Sequence, residues 1–436
     1  MNIHHKKNMR VVVIGAGAAG LAAGYTLSHH GLVPMLFEAT HRLGGRIFTC
    51  YREQYTLELG AQLIYSHNKT ALNLCKELGL TNNLTRFKAT ANIFHNGKLC
   101  KTFSVADSWR KRLSIFKLQL LILLQANRLH ISRPEATLPF DEQSFAQYVL
   151  EQYGEELLDD LFHPFITSLV HSSPENVSAG CGLVYALCAL GGSYTLRSGL
   201  GKLISKLGEK IDQVYLNTPV TKVVLENNKV TGVLVKENET EKFLACEAVV
   251  VAVPAFKAAG LLPDLPPHLR DFLARIQYSS CVHIIYGLRR PLMKHLYAIV
   301  IPEGAGLRAV SILEDANKHP DYAPAGAGLV HVFTHGTGAK ELLAQTDMEI
   351  AESLKKEAQQ ILPDFPDDPL FWQVQRWPHS VCLFGPGQAH ALNAFKKEVQ
   401  SIKGLHFAGD YTKIPSVEGA LCSGREAALE ILGSRA

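Results

Sequence analysis

The sequence of 436 residues lacks several features that would place it in a functional class at once. Its nine cysteines are scattered and form no C-x-x-C pair, which predicts reduced thiols and a cytoplasmic protein. No H-E-x-x-H motif or paired histidine spacing occurs, so we expect no metal site. A net charge of +4, without a cluster of basic residues interleaved with aromatics, argues against nucleic-acid binding.

Long hydrophobic runs are also missing. The most apolar run is Leu113 to Leu129, and its longest uncharged piece, Leu118 to Asn127, is well short of the 18 or more residues that span a bilayer. We expect a core or cavity-roof helix here, although the preceding basic residues 110–112 keep peripheral membrane contact open. Residues 1–8 are polar and basic, and they predict a frayed leader and no secretory signal.

A glycine motif near the start of the chain organises everything else. The β-branched run Val11 to Ile14 predicts a buried parallel strand, and it leads directly into G-x-G-x-x-G. In this motif Gly15 makes the tight turn, Gly17 lets the backbone approach a pyrophosphate, and Gly20 lets the next helix pack closely on the strand. That helix, predicted over residues 18–29, directs its free N–H groups at the phosphates.

A second apolar strand, Val33 to Phe37, ends on an acidic residue at the spacing that the motif requires. Glu38 lies about 20 residues beyond the glycines, where it would accept a hydrogen bond from a ribose hydroxyl. A strand, a glycine turn, a helix and an acidic strand end in this order predict a Rossmann-like, dinucleotide-binding α/β domain.

The segment His41 to Arg46 carries Gly44-Gly45-Arg46 shortly after the acidic Glu38. In this the sequence resembles the FAD-dependent amine oxidase, protoporphyrinogen oxidase and phytoene desaturase superfamily, which implies FAD and not NAD as the cofactor. The two glycines would let backbone amides reach the cofactor, while Arg46 offers a fork of donors to phosphate oxygens. Arg42 is a weaker candidate for the same role.

Further segments carry the same resemblance. The acidic residue and L-G-A of Glu58 to Gln62 imply contact with the flavin ring, where a side chain at Gly60 would hold the backbone away. The predicted strand Val214 to Val220, with its N-T-P-V, implies that Val220 touches the adenine, and Asn227-Asn228 predicts a turn between two further β segments. The segment 408–424 (AGDYT…EGA..SG), which leads into a last helix through about Leu432, is closest to plant-type phytoene desaturases. The predicted cofactor contacts are Gly15, Gly17, Ala18, Ala19, Gly20, Glu38, Ala39, Arg42, Gly44, Gly45, Arg46, Gly60, Ala61, Gln62, Val220, Pro254, Gly409, Asp410, Val417 and Ala420.

The pattern of segments predicts two discontinuous domains of a GR2-type flavoprotein. Residues 1–84, 197–260 and 387–436 would form the FAD-binding domain, and residues 85–196 and 261–386 an inserted substrate domain, mainly helical with an added β-sheet. No second G-x-G-x-x-G follows a strand, so the chain offers no separate NAD(P)H site. We therefore expect electrons to pass to oxygen, a quinone or another small acceptor.

The resemblance implies transfer of a hydride from a C–H bond of a small molecule to flavin N5. Amine oxidases place a lysine in the strand that matches Val282 to Tyr286, but no lysine is present, and Ser416 replaces a tyrosine of their aromatic cage. The segments 196–203, 216–220 and 376–378 instead resemble protoporphyrinogen oxidases. We expect dehydrogenation of a bulky apolar or cyclic substrate; the alternatives are a flavin-dependent amine oxidase and a non-catalytic, prenyl-escort-type binding protein.

Catalytic residues are less well determined. Gln62, Tyr65 and His67 follow the predicted flavin-facing turn and are candidates for lining the substrate cavity. Cys382 or His379 could anchor the flavin covalently, but their surroundings match no such motif well. The sequence predicts neither the substrate nor the oligomeric state.

Overall fold

The computed structural model describes residues 9–95, 97–101, 116–117, 120, 124, 129–238 and 240–433. The strands are β1 (Val11–Ile14), β2 (Met35–Phe37), β3 (Thr49–Arg52), β4 (Tyr55–Glu58), β5 (Ile64–Tyr65), β6 (Leu84–Phe87), β7 (Ala91–His95), β8 (Lys98–Lys101), β9 (Ser193–Leu196), β10 (Gln213–Tyr215), β11 (Val220–Glu226), β12 (Lys229–Glu237), β13 (Thr240–Ala245), β14 (Ala248–Val251), β15 (Cys281–Leu288), β16 (Ala298–Val300), β17 (Ala309–Glu314), β18 (Gly328–Thr334), β19 (Phe371–Trp377) and β20 (Leu405–Phe407).

The helices of the described residues are α1 (Ala18–His29), α2 (Lys69–Glu77), α3 (Phe145–Tyr153), α4 (Glu155–Leu157), α5 (His163–Val170), α6 (Ala179–Ala189), α7 (Gly201–Gly208), α8 (Ala255–Leu261), α9 (Pro267–Arg275), α10 (Gly336–Leu342), α11 (Asp347–Ile361), α12 (Gln388–Val399) and α13 (Val417–Leu432). A π-helical turn, Leu158–Phe162, joins α4 to α5. Short 3₁₀ segments occur at Thr81–Asn83, Pro134–Phe140, Pro174–Asn176, Glu303–Ala305, Asp315–Asn317, Pro320–Tyr322 and Asp410–Thr412.

A parallel five-stranded sheet, in the order β10-β2-β1-β14-β20, contains the strand that leads into the glycine motif. The side chains of β1 and β14 are fully buried, as expected for central strands of a sheet covered on both faces. Helices α1 and α13 cross closely, because Gly424 has no side chain to overlap the Ala19 carbonyl oxygen. The predicted Rossmann-like α/β fold is therefore confirmed.

A second sheet of seven strands, in the order β19-β15-β18-β17-β16-β7-β8, is antiparallel except where β16 pairs with β7. It combines strands of both predicted segments of the substrate domain. A small sheet, β5-β9-β6, crosses the predicted boundary at residue 84. The domain limits themselves stay a prediction.

Several predicted elements differ in detail. Strand β2 begins at Met35 and not at Val33, because Pro34 between them has no N–H to pair. Strands β3 and β4, before the predicted flavin-facing turn, pair as an antiparallel hairpin. The predicted strand 214–220 is divided: β10 joins the parallel sheet, Asn217 turns the chain at a φ of 53°, and β11 opens a different sheet.

The apolar run from Leu113 to Leu129 lies largely outside the described residues. Leu129 at its end is 1% exposed and belongs to the core, whereas the described side chains Phe116, Leu120 and Leu124 are 61%, 47% and 70% exposed, so the core helix stays a prediction. The spacing of these residues places them on one face, so this face is solvent-accessible instead of packed. Among the described helices, none is both long and apolar enough to cross a bilayer.

Candidate FAD and substrate site

A large cavity runs from the carboxyl ends of the parallel strands to one face of the seven-stranded sheet. Its volume is about 1320 Å³, above the usual range for a single small ligand, so it has room for a cofactor together with a substrate. It is lined by these predicted site residues: Gly15, Gly17, Ala18, Ala19, Glu38, Ala39, Arg42, Gly44, Gly45, Arg46, Gly60, Ala61, Gln62, Tyr65, Val220, Pro254, Gly409, Asp410, Val417 and Ala420. Gly20 and His67 do not line it.

The glycine turn packs against the protein on one side and faces empty space on the other. Gly15 adopts a φ of +99° and donates its N–H to the Phe37 carbonyl at 2.8 Å. A Cβ at Gly20 would overlap the Gly15 carbonyl oxygen, whereas a Cβ at Gly17 would meet no atom within 4 Å. Gly20 is therefore needed for the fold, while the space over Gly17 and the start of α1 fits a pyrophosphate.

Glu38 connects the strand end to this turn. One carboxylate oxygen accepts the Ala16 N–H at 2.8 Å, and the other accepts from the Thr40 N–H and Oγ1 at 2.9 and 2.7 Å. A carboxylate has about four acceptor positions, so Glu38 can hold the turn and still accept from a ribose hydroxyl. Its geometry thus fits the predicted role.

Arg46 and Asp410 form an ion pair at the centre of the cavity wall. The guanidinium donates to Asp410 Oδ1 at 2.8 Å and to the Ser380 carbonyl at 2.9 Å. Burial tends to lower the pKa of Arg46, but the facing Asp410 carboxylate outweighs it and raises that pKa above its usual value. A third of the Arg46 side chain stays exposed, so it retains donors for a ligand.

The turn that follows β4 is organised differently from the prediction. A Cβ at Gly60 would overlap the Arg46 carbonyl oxygen, so the glycine is required by close backbone packing, independently of a flat cofactor. Gln62 donates to the Glu58 and Gly60 carbonyls at 3.0 and 2.8 Å and accepts from Lys318 Nζ at 2.7 Å. Its amide therefore holds the turn in shape as well as lining the cavity.

Glu58 lies behind this turn and is fully buried. Its carboxylate accepts hydrogen bonds from Thr49 Oγ1 at 2.7 Å, from the Leu200 N–H at 2.6 Å and from the Tyr322 hydroxyl at 3.2 Å. Burial raises the pKa of Glu58 to about 7, although the Lys318 cation acts in the opposite direction. The group can therefore gain or lose a proton near neutral pH.

The half of the cavity away from the glycine turn contains residues that the sequence did not single out. His171 ends α5 at a φ of +54°, stacks on Phe333 at 5.9 Å between ring centroids, and lies 3.1 Å from Ser380 Oγ through Nδ1. Burial lowers the pKa of His171 to about 4. His283 of β15 also packs on Phe333, at 4.5 Å. These rings meet only through tertiary packing, so no local signal marks them.

More cationic than anionic side chains line the cavity. Arg86 and Lys88 line it, are exposed, and form no ion pair with a described residue. The lining carboxylates are Glu38 and Asp410, and both are engaged in the contacts given above. Among the described lining residues, a cationic substrate would therefore find no free carboxylate, whereas an anionic group would find Arg86, Lys88 and the likewise exposed Lys257 without an ion pair.

The two candidates for a covalent flavin link lie in different places. Cys382 is 1% exposed and is not part of the cavity lining, and burial raises the pKa of its thiol well above the usual value. His379 lines the cavity, with its ring 4.3 Å from that of Phe256. Among the described residues, no group of three or more His, Cys, Asp or Glu could hold a metal ion.

Known proteins match this chain over nearly its whole length, and they are flavin-containing or related oxidases. The family described as flavin containing amine oxidoreductase matches residues 18–432. The mitochondrial protoporphyrinogen oxidase of Nicotiana tabacum is 23% identical, covering 97% of this chain and 95% of its own length. The coproporphyrinogen III oxidase of Bacillus subtilis is 22% identical over 94% of both chains. Cyclohexylamine oxidase from Brevibacterium oxydans has a TM-score of 0.75 at 19% identity, covering 98% and 99%.

Proposed function

The chain belongs to the family of flavin-containing amine oxidoreductases, and from this premise we propose that it dehydrogenates a bulky, cyclic, carboxylate-bearing substrate of the porphyrinogen type. The family match confirms the predictions of an FAD-dependent oxidoreductase and of FAD as cofactor. The non-catalytic, escort-type alternative is thereby set aside. What remains to be proposed is the placement of the cofactor, the substrate and the electron acceptor.

We place each part of the cofactor where the cavity has space or a side chain has free hydrogen-bonding capacity. The pyrophosphate would lie over Gly17 at the start of α1, a ribose hydroxyl would donate to Glu38, and the free donors of Arg46 would face the cofactor. When bound, FAD supplies the two-electron acceptor for the substrate hydride. The protein positions the donor carbon and keeps water out of the cavity.

For the substrate, one observation carries the proposal: the cavity is largely apolar, the exposed Arg86 and Lys88 line it, and its described carboxylates are engaged by other groups. An apolar ring system with peripheral carboxylates matches this distribution, because the ring fills the cavity and the carboxylates meet the two cations. The relatives described as protoporphyrinogen and coproporphyrinogen III oxidases support the same substrate class.

The amine oxidase alternative is supported by the likeness to cyclohexylamine oxidase, which at 19% identity is a likeness of fold alone. A direct test is anaerobic mixing of the holoenzyme with coproporphyrinogen III, cyclohexylamine and a carotenoid precursor, while flavin absorbance is followed. Bleaching by the porphyrinogen supports the proposal. Bleaching by the amine or the polyene, without bleaching by the porphyrinogen, would refute it.

The double variant Arg86→Gln/Lys88→Gln tests the anionic contact. We expect the KM for coproporphyrinogen III to rise about tenfold or more with little change in kcat, because the two cations bind a part of the substrate that does not react. Arg290→Gln, on the surface next to Asp364, is the matched control and should change neither constant. An unchanged KM in the double variant would remove the reason for preferring an anionic substrate.

The electron acceptor is proposed from the sequence, which has no second dinucleotide motif. We infer that oxygen or a quinone reoxidises the flavin. Anaerobically reduced enzyme should therefore reoxidise on mixing with air-saturated buffer or a soluble quinone, and not with NAD or NADP. Reoxidation only by a nicotinamide would contradict this inference.

We also propose peripheral membrane contact through Phe116, Leu120 and Leu124. These apolar side chains are exposed, and the basic residues 110–112 precede them in the sequence. An apolar face next to basic residues favours an anionic lipid surface. Sedimentation with phosphatidylserine vesicles should exceed that with phosphatidylcholine and should fall in Leu124→Ser but not in Leu190→Ser, a control at another exposed leucine. If the wild type sediments equally with both kinds of vesicle, and both variants sediment with phosphatidylserine vesicles as the wild type does, the contact is refuted.

A further inference from the structure

Two histidines lie side by side inside the protein, and three of their four ring nitrogens have no polar partner among the described residues. His283 of β15 and His331 of β18 are fully buried, with ring centroids 5.9 Å apart. Neither ring nitrogen of His283 has a hydrogen-bond partner, nor has Nδ1 of His331, while Nε2 of His331 faces Asp315. Buried polar groups without partners are rare in folded proteins, and each one calls for an explanation.

Behind these rings a series of charged and polar groups leads back to the cavity. His331 Nε2 lies 3.2 Å from Asp315 Oδ2, and Asp315 Oδ1 lies 2.8 Å from Lys318 Nζ. Lys318 donates to Gln62 Oε1 at 2.7 Å. His283 and Gln62 both line the cavity, so the series has both ends at the proposed site.

We propose that His283, His331, Asp315 and Lys318 form a proton relay that receives the proton released when the substrate is oxidised; this inference rests on the proposed function. We use the name relay for these four residues. Dehydrogenation breaks two bonds to hydrogen in the substrate: one hydrogen leaves as hydride to FAD, and the other leaves as a proton. In the relay that proton binds an imidazole nitrogen of His283, which becomes an imidazolium.

The remaining relay residues stabilise and pass on the positive charge. His331 is the neighbouring acceptor, and the Asp315 carboxylate at 3.2 Å would stabilise its protonated ring. Lys318 holds Asp315 in place and links it to the cavity wall through Gln62. His283 and His331 therefore act as proton carriers, while Asp315 and Lys318 are positioning residues.

Protonation states in the resting enzyme fit this direction of transfer. Burial lowers the pKa values of His283 and His331 well below the ordinary value of 6.5, so both rings are neutral acceptors at pH 7. The groups that face them add to the effect: His331, His171 and Lys318 lower the pKa of His283, and Lys318 lowers that of His331. Each ring therefore has a free nitrogen ready for a proton.

The first test uses His283→Leu and His331→Leu in the FAD-loaded enzyme, with coproporphyrinogen III as reductant in anaerobic stopped flow. We expect wild-type flavin reduction to be level between pH 6.5 and 8, because both rings are neutral and able to accept a proton over this whole range. In both variants reduction should be at least tenfold slower at pH 7 and should rise with pH, as hydroxide replaces the relay. His268→Leu, at an exposed pair with Glu398, should match the wild type.

Stability separates this role from a structural one. Leucine at position 283 removes two unpartnered buried nitrogens, so His283→Leu should unfold at the same temperature as the wild type or a higher one. A purely structural role predicts lower unfolding temperatures together with an unchanged pH profile. Unchanged rates and pH profiles in well-folded variants would overturn the relay.

A second test needs no substrate and keeps the inference separable from the proposed function. Nitrogen-15 NMR of histidine-labelled holoenzyme, assigned by the signals lost in the two variants, reports ring protonation directly. Both rings should be neutral in oxidised enzyme, and one should gain a proton when dithionite reduces the flavin, because the electron pair adds negative charge to the cavity. If coproporphyrinogen III fails to bleach the wild type, the proposed substrate is wrong, and the NMR result decides the relay: two rings that stay neutral overturn it.

Discussion

Gly17→Ala adds one methyl group at the point where the glycine turn faces the proposed pyrophosphate. No protein atom lies within 4 Å of this position, and the backbone at φ −71° and ψ −179° suits alanine. Alanine is a poorer helix N-cap than glycine, but it reduces the freedom of the unfolded chain, so the two effects offset each other to within about 1 kcal/mol. The apoprotein should therefore keep its stability.

The effect on the cofactor should be much larger. A methyl group forced into a closely packed contact costs about 1 to 3 kcal/mol, which corresponds to a loss of affinity of roughly 5-fold to 150-fold. Gly20→Ala is the contrasting variant, because its Cβ would overlap the Gly15 carbonyl oxygen inside the protein. It should lower the stability of the apoprotein itself.

The assay is titration of apoprotein with FAD by fluorescence quenching, combined with urea unfolding of the apoprotein. Gly17→Ala should show a raised Kd for FAD and an unchanged unfolding midpoint, while Gly20→Ala should show a lowered midpoint. If Gly17→Ala binds FAD as tightly as the wild type, the pyrophosphate does not lie over this turn, and the cofactor placement proposed here is wrong.

Three further predictions concern carboxylates. Glu38→Ala should weaken FAD binding by about 1.5 to 3 kcal/mol, the range for a hydrogen bond to a charged group; titration of Glu247→Ala, which removes a carboxylate from the Arg10 N–H elsewhere, should give the wild-type Kd. Asp410→Asn should lower the free energy of unfolding by about 1.5 to 3 kcal/mol in urea titrations, because Arg46 loses its charged acceptor, and an unchanged midpoint would contradict this. Since the pKa of Glu58 is about 7 in the folded state and 4.5 in the unfolded chain, the folded state binds the proton more tightly, and stability should fall by up to about 3 kcal/mol as pH rises from 4.5 to 7. Glu58→Gln should remove that part of the pH dependence, and parallel curves for variant and wild type would refute it.

Local features of the chain could be predicted from the sequence because short-range chemistry decides them. The helix over residues 18–29 and the final helix ending at Leu432 are found as predicted. The turn at Asn227 and Asn228 is also found, since both residues adopt the positive φ that asparagine tolerates in a tight hairpin. Hydrophobicity alone does not say whether a side chain has a partner: in the same apolar run Leu124 is exposed and Leu129 is buried.

The sequence by itself determined the glycine turn, the acidic strand end and the family resemblance, because each depends on residues close together in the chain. Only the tertiary structure decided which side chains meet across long separations. Arg46 pairs with Asp410, 364 residues away, and Gln62 accepts from Lys318, 256 residues away. The partners of a buried charge are chosen by packing and desolvation in the folded state, so the lysine that contacts Gln62 came from a segment that no local pattern marked.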